Sequence, residues 1–245
     1  MKRRDWLTMA VALGVRLPAA QAAGEQKWHV VTSHLPPLVL ENTPGSPGAL
    51  YELVMELARR LKLAPAVEFV PWRRALFLST TLPATAIFPL TRLPEREAQF
   101  RWLAPLYEEN YVFLARRGAN FDLGHPELMK TRRITLLRGA AQAALLRELG
   151  YRNFVEASSI DEVHRFLLGG MADAAFGERA IVQSSLKSHG AENDFRVSAP
   201  VRSTTAWLAG SLDFSEADVQ RFQQAKAAMA ADGTTQRILR KYGLE

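Results

Sequence analysis

Apolar positions recur along this chain with two alternating periods, and the alternation predicts a succession of strands and helices. Residues 29–32 read as a first strand, followed by a loop rich in Pro and Gly that runs through Gly48. Leu50, Leu53, Val54, Leu57, Ala58 and Leu61 then recur at helical spacing, with Glu52, Glu56, Arg59 and Arg60 on the other face. Residues 67–70 and 86–90 are strand-like apolar runs. Residues 111–115 form another, read as a crossing between two lobes.

A second series opens with the strand 134–137. Its helix, 141–149, is closed by Gly150, a residue that enters the left-handed region at little cost. Ser158 and Ser159 begin the next helix, with Asp161 and Glu162 as capping partners. Ile160, Val163 and Leu167 form its buried stripe and Gly169-Gly170 ends it; His164 is expected to be a solvated residue of this helix. Residues 172–176 return to a strand, and 205–209 read as a return crossing. Towards the C-terminus Ser215 caps a helix whose face carries Val219, Phe222, Lys226 and Met229, the lysine stem covering the stripe's edge. Gly233 breaks it, and Ile238, Leu239 and Tyr242 anchor a last short helix. Alternating strands and helices predict an α/β fold.

The first residues have another pattern. Lys2, Arg3 and Arg4 precede a mostly apolar run, 7–20, and Ala20-Gln21-Ala22 supplies small residues for a cut near Ala22. This is expected to be an export signal, residues 1–22, of Sec or twin-arginine type. Its removal takes away Lys2, Arg3, Arg4, Arg16 and Asp5 and halves the formal charge of +6. No basic run with interleaved aromatics points to nucleic acid. The chain has no cysteine, which excludes disulfides and thiolate metal sites. The five histidines are scattered without metal-ligand spacing, and no phosphate loop or nucleophile elbow is present. Neither a metal nor a cofactor is expected. The periplasm is the expected compartment.

One stretch carries candidate chemistry. After the strand 86–90, Thr91-Arg92-Leu93-Pro94-Glu95-Arg96-Glu97 reads as a turn into a short helix, Pro94 suiting the first helical position. Arg96 would project a guanidinium fork suited to a small anion. On local pattern, Arg92 and Arg96 pair equally well with Glu95, Glu97 or Glu109 on a solvated surface.

Over residues 28–243 the order of parts resembles the periplasmic amino-acid-binding proteins of ABC importers, the bacterial extracellular solute-binding family 3. The resemblance is carried by Leu35-Pro36-Pro37-Leu38, Gly48-Ala49-Leu50-Tyr51-Glu52-Leu53, the pair Thr91 and Arg96, Trp102-Leu103-Ala104-Pro105-Leu106, Gly139-Ala140-Ala141-Gln142, and Gly170-Met171-Ala172-Asp173-Ala174 followed by Glu178. It implies a two-lobed, type II periplasmic-binding-protein-like fold with a hinge of two crossing strands. Lobe one would comprise 23–110 and 205–245, and lobe two 111–204. It implies ligand contacts from Arg96 to a carboxylate, from backbone N–H groups of Gly139, Ala140 and Ala141 to the same group, and from Glu178 and Thr91 to an ammonium. His34, Leu35 and Trp72 would line the wall, although Trp72 suits lobe-one packing equally well. Asp173 is expected to be structural, and Arg92 either favours a more acidic ligand or pairs with Glu95 or Glu178. The implied function is capture of an amino acid or similar small polar solute for an ABC permease in the inner membrane, by a monomer doing no chemistry. The alternatives are an enzyme on the same fold, of cyclohexadienyl dehydratase type, and the ligand-sensing part of a signalling receptor.

Overall fold

The computed structural model describes residues 27–244, so the export-signal reading lies outside the described residues. The first half of the chain runs β1 (Lys27–Thr32), α1 (Ala49–Leu61), β2 (Ala64–Phe69), α2 (Trp72–Thr81), β3 (Thr85–Thr91) and the long strand β4 (Arg101–Arg116). The second runs β5 (Ile134–Leu137), α3 (Gln142–Glu148), β6 (Phe154–Ala157), α4 (Ile160–Leu168), β7 (Ala174–Glu178), α5 (Arg179–Ser188), β8 (Phe195–Val197), β9 (Arg202–Gly210), α6 (Glu216–Ala231) and α7 (Thr234–Lys241). All nine strands join one sheet in the order β2-β1-β3-β9-β4-β7-β5-β6, with β8 pairing on β4.

The sheet has two parallel units joined at its centre. β1 pairs in parallel with β2 and β3, and β5 does the same with β6 and β7. β4 runs antiparallel to β9 from Arg101↔Gly210 to Tyr111↔Arg202, then antiparallel to β7 from Tyr111↔Glu178 to Ala115↔Ala174. Tyr111 therefore marks the point where β4 leaves one half of the sheet for the other. The sequence reading found only the apolar end of this strand, because the polar Glu108-Glu109-Asn110 interrupts the pattern.

Local signals explain the elements that were legible. Leu50, Leu53, Val54, Leu57 and Ala58 of α1 are all buried, and Glu56 on the outer face holds Arg59 and Arg60 in ion pairs at 2.7 and 2.8 Å. Every residue of β3 is buried, as expected of a strand covered on both faces. At α6 the Ser215 side chain accepts from Asp218 N–H while the Asp218 carboxylate accepts from Ser215 N–H, a complete capping box. Lys226 of that helix donates to Thr235 Oγ1 at 3.3 Å, so its head is held as its stem lies along the stripe.

Helices α2 and α5 had no counterpart in the sequence reading. α2 buries only Trp72, Ala75 and Ser79, and α5 is rich in serine, so neither presents a clear apolar stripe. Tertiary packing forms them: Trp72 and Ala75 join a core cluster with Val31, Ile87 and Leu90 beneath the first half of the sheet. A second cluster, built on Phe113, Tyr151 and Phe176, fills the other half.

Candidate functional site

Two helix starts and two strand ends converge on the gap between the halves of the sheet. β1 delivers His34 and Leu35, β2 delivers Phe69, and the tight entry into α2 places Trp72 behind them. Across the gap stand Ser159 and Asp161 at the start of α4, with Ile181, Ser184, Ser188 and His189 along α5. Together they enclose a cleft of about 600 Å³. Ser159 Oγ accepts from Glu162 N–H at 3.1 Å, and the Glu162 carboxylate accepts from Ser158 N–H and Oγ, both at 2.6 Å. That cap fixes the direction in which Asp161 faces.

The histidines of the cleft have defined partners. His34 Nδ1 accepts from Glu41 N–H at 3.0 Å, which leaves the ring proton on Nε2. His189 Nδ1 lies 2.8 Å from Ser185 O and donates to it, and its Nε2 lies 3.7 Å from Asp161 Oδ1. Behind them His164 is buried rather than solvated. Its Nε2 meets Ser185 Oγ at 3.2 Å and its ring lies 4.8 Å from that of His189. Burial, and then the neighbouring His189, hold its pKa below the usual imidazole value.

The residues expected to grip a carboxylate are brought together, but in another arrangement. Arg96 is buried; its Nη1 donates to Thr91 O at 3.1 Å and its Nη2 to Gly139 O at 3.2 Å. Trp72 Nε1 donates to the same Gly139 carbonyl at 3.2 Å. The turn between β5 and α3 thus presents an acceptor to Arg96, where the sequence reading expected a cradle of amide donors. Ala140 N–H is used within the turn, towards Leu137 O at 3.3 Å, and Ala141 is buried at the start of the seven-residue α3. Gly139 itself has φ +75°, and a Cβ there would stand 3.0 Å from Arg73 Cγ. Arg96 lines a separate open hollow with Arg73 and Gly139, not the cleft.

Thr91 and Glu178 are also committed. Thr91 Oγ1 donates to Glu109 Oε2 at 2.8 Å and meets Tyr111 OH at 3.1 Å, while Thr204 Oγ1 donates to the same carboxylate oxygen at 3.0 Å. Burial pushes the Glu109 carboxyl up against these donors and the nearby Arg96. Glu178 Oε2 caps α5 by accepting from Ile181 N–H at 3.0 Å, and its Oε1 is buried without a partner of good geometry. Burial raises its pKa from the ordinary 4.5 to about 7, with Ile181 N–H opposing.

Arg92 takes the surface role. Its guanidinium makes a two-pronged pair with Glu97 at 2.6 and 2.9 Å and lies over the rings of Trp102 and Trp207 at 5.3 and 5.2 Å. Asp173 Oδ2 accepts from Arg133 N–H at 2.8 Å, a structural role as expected. Of the residues named from sequence, His34, Leu35 and Trp72 line the cleft, Arg96 and Gly139 line the neighbouring hollow, Glu178 lines a small cavity that shares Ile160 and Ile181 with the cleft, and Thr91, Ala140 and Ala141 line none of the three. Asp161, Ser184, Ser188 and His189 were missed. For Ser184, Ser188 and His189 the one signal was the serine-rich, weakly apolar stretch now seen as α5; Asp161 was read only as a capping residue of α4.

No family model matches the chain, and no curated protein matches it in sequence. Solved structures do match in fold. A histidine kinase sensor domain similar to periplasmic binding proteins superposes with a TM-score of 0.80 at 17% identity, over 89% of this chain and 96% of that one. The GluR0 ligand-binding core from Nostoc punctiforme, solved with L-glutamate, gives 0.76 at 17% identity, over 89% and 100%. A histidine-bound substrate-binding protein of an ABC uptake transporter from Streptococcus pneumoniae gives 0.77 at 16%, over 89% and 93%. The architecture is therefore the two-lobed, type II periplasmic-binding-protein-like α/β fold, with β4 and β9 as the strands that cross between lobes.

Proposed function

We propose that the protein is an exported, periplasmic solute-binding protein that captures an amino acid or similar small polar solute and presents it, as a monomer, to an ABC permease. The observation that carries this reading is the cleft of about 600 Å³ whose walls come from opposite halves of one sheet. A volume of that order suits a small-molecule ligand. Lobe one, residues 23–110 and 205–245, brings His34, Leu35 and Trp72; lobe two, residues 111–204, brings the α4 start and α5. Rotation about β4 and β9 opens and closes the cleft, so a ligand touching both walls favours the closed form by its differential contacts. Arg96 and Gly139 tie the lobes beside the ligand.

Calorimetric titration of the mature protein with a panel of amino acids, amines and small carboxylates tests this reading. Binding of one class at micromolar or better affinity supports it, and the absence of any binding removes it. No aromatic product is expected on incubation with prephenate or arogenate; its appearance in the ultraviolet spectrum would make the protein an enzyme. A sensing role is favoured by the likeness to the histidine kinase sensor domain. Loaded protein that engages a membrane receptor, but does not stimulate ATP hydrolysis by a reconstituted permease, would establish sensing over delivery.

A further inference from the structure

We infer that the solute taken by the cleft is a small amine-bearing organic cation, recognised without a carboxylate clamp. This rests on the reading of the cleft as the binding site and names its substrate class. Among the described residues the cleft lining contains no lysine and no arginine; its acids are Glu41 on one wall and Asp161 on the other, and its histidines are His34 and His189. The Arg96 guanidinium is engaged by the carbonyls of Thr91 and Gly139 and opens onto a different hollow. The histidine on the Glu41 side, His34, has its Nδ1 occupied by the backbone N–H of Glu41 at 3.0 Å.

A carboxylate placed in this cleft would face two acids, and the imidazole on the far wall, His189, already has its Nε2 turned towards Asp161 at 3.7 Å. Desolvating an anion beside those acids is unfavourable, which selects against acidic solutes. A cation meets the opposite conditions. Trp72 and Phe69 supply aromatic surface on one side, Asp161 supplies a carboxylate on the other, and the Ser184 hydroxyl makes no hydrogen bond within the protein among the described residues. Cation–π attraction to an indole face and a charge-assisted hydrogen bond to a carboxylate are the two contacts that select an ammonium or guanidinium over a neutral isostere.

Matched ligand series separate this from its alternatives. The mature protein is titrated with agmatine and cadaverine, with their parent amino acids arginine and lysine, and with glutamate and succinate. The expected result is that each amine binds at least as tightly as its parent amino acid, with no binding of the two acids. Asp161→Asn, at an exposed position, is expected to weaken amine binding about tenfold, the range of one charge-assisted contact, while leaving the melting temperature of the unliganded protein unchanged. Amino acids binding more than about tenfold tighter than their decarboxylated partners, or binding of glutamate or succinate, overturns the inference and leaves the solute-binding reading standing. Failure of all three series removes both.

Discussion

Gly139 shows how much one carbonyl can organise. Two donors from elements far away in sequence, Trp72 Nε1 and Arg96 Nη2, converge on its oxygen at 3.2 Å each. Trp72→Phe keeps the ring and removes one donor, so it is expected to cost about 1 kcal/mol in urea unfolding. Arg96→Gln removes donors from the buried Thr91 carbonyl and the half-buried Gly139 carbonyl and is expected to cost about 2 kcal/mol. If Arg96→Gln instead unfolds at the wild-type urea midpoint, the interlobe tie has no energetic content. At this scale the sequence told half the story. Pro94 and the acidic residues around it made a rigid corner for Arg96 legible, and the structure has that corner as a single tight turn, Pro94–Arg96. What the guanidinium would hold depended on the carbonyl of Gly139, 43 residues away. No local pattern encodes that.

Helix starts obey simpler rules, and Gly48 before α1 tests one of them. It has φ +98°, and a Cβ there would stand 2.5 Å from Leu38 O. Gly48→Ala therefore combines left-handed strain with a collision against backbone that cannot rotate away. A loss above about 2 kcal/mol is expected, against the few tenths seen for an exposed glycine. Gly45→Ala is the control, since its φ is also positive, at +85°, but nothing lies within 4 Å. Equal losses for the two variants would show that strain alone sets the cost. The helices legible in sequence, α1, α3, α4, α6 and α7, each combine helically spaced apolar residues with a local start or stop such as Ser159, Ser215, Gly150 or Gly233. α2 has no such signal, and the cap of α5 comes from Glu178 at the end of β7. Both line the cleft, and a helix whose exposed face must serve a ligand has less sequence left for an apolar stripe.

At the scale of the molecule, the order of strands and helices was enough to suggest a two-lobed α/β fold, because the crossing strands and both βα series follow the same order in the chain. The chemistry at the crossing was not readable, since Glu109 and Glu178 look like ordinary surface acids until β4 buries one and pairs against the other. Both sit where β4 changes partners, with Tyr111 opposite Glu178 and Thr91 and Thr204 on Glu109. Glu178 titrates near 7 in the folded protein against an ordinary 4.5. A carboxyl with a raised folded pKa binds its proton more tightly in the native state, so it stabilises the fold fully below the unfolded value. That stabilisation is lost as pH rises from about 4.5 through about 7, amounting to about 3 kcal/mol for a shift of this size. Glu109 is shifted in the same direction and adds to the decline. Glu56, held near 2 by Arg59 and Arg60, and Asp232, held near 2 by Thr234 and then Arg60, contribute only below this window. His164 works against the trend, because its depressed pKa gives stability that grows as pH rises towards 6.5. The clean measurement is therefore a difference: urea unfolding of wild type and Glu178→Gln at half-unit steps from pH 4 to 8. Glutamine can still accept from Ile181 N–H, so the helix cap survives. The gap between the two curves is expected to shift by about 3 kcal/mol in favour of the variant as pH rises across that window. Parallel curves would mean that Glu178 ionises in the folded protein as it does in water, and that the crossing of the two lobes carries no proton-linked energy.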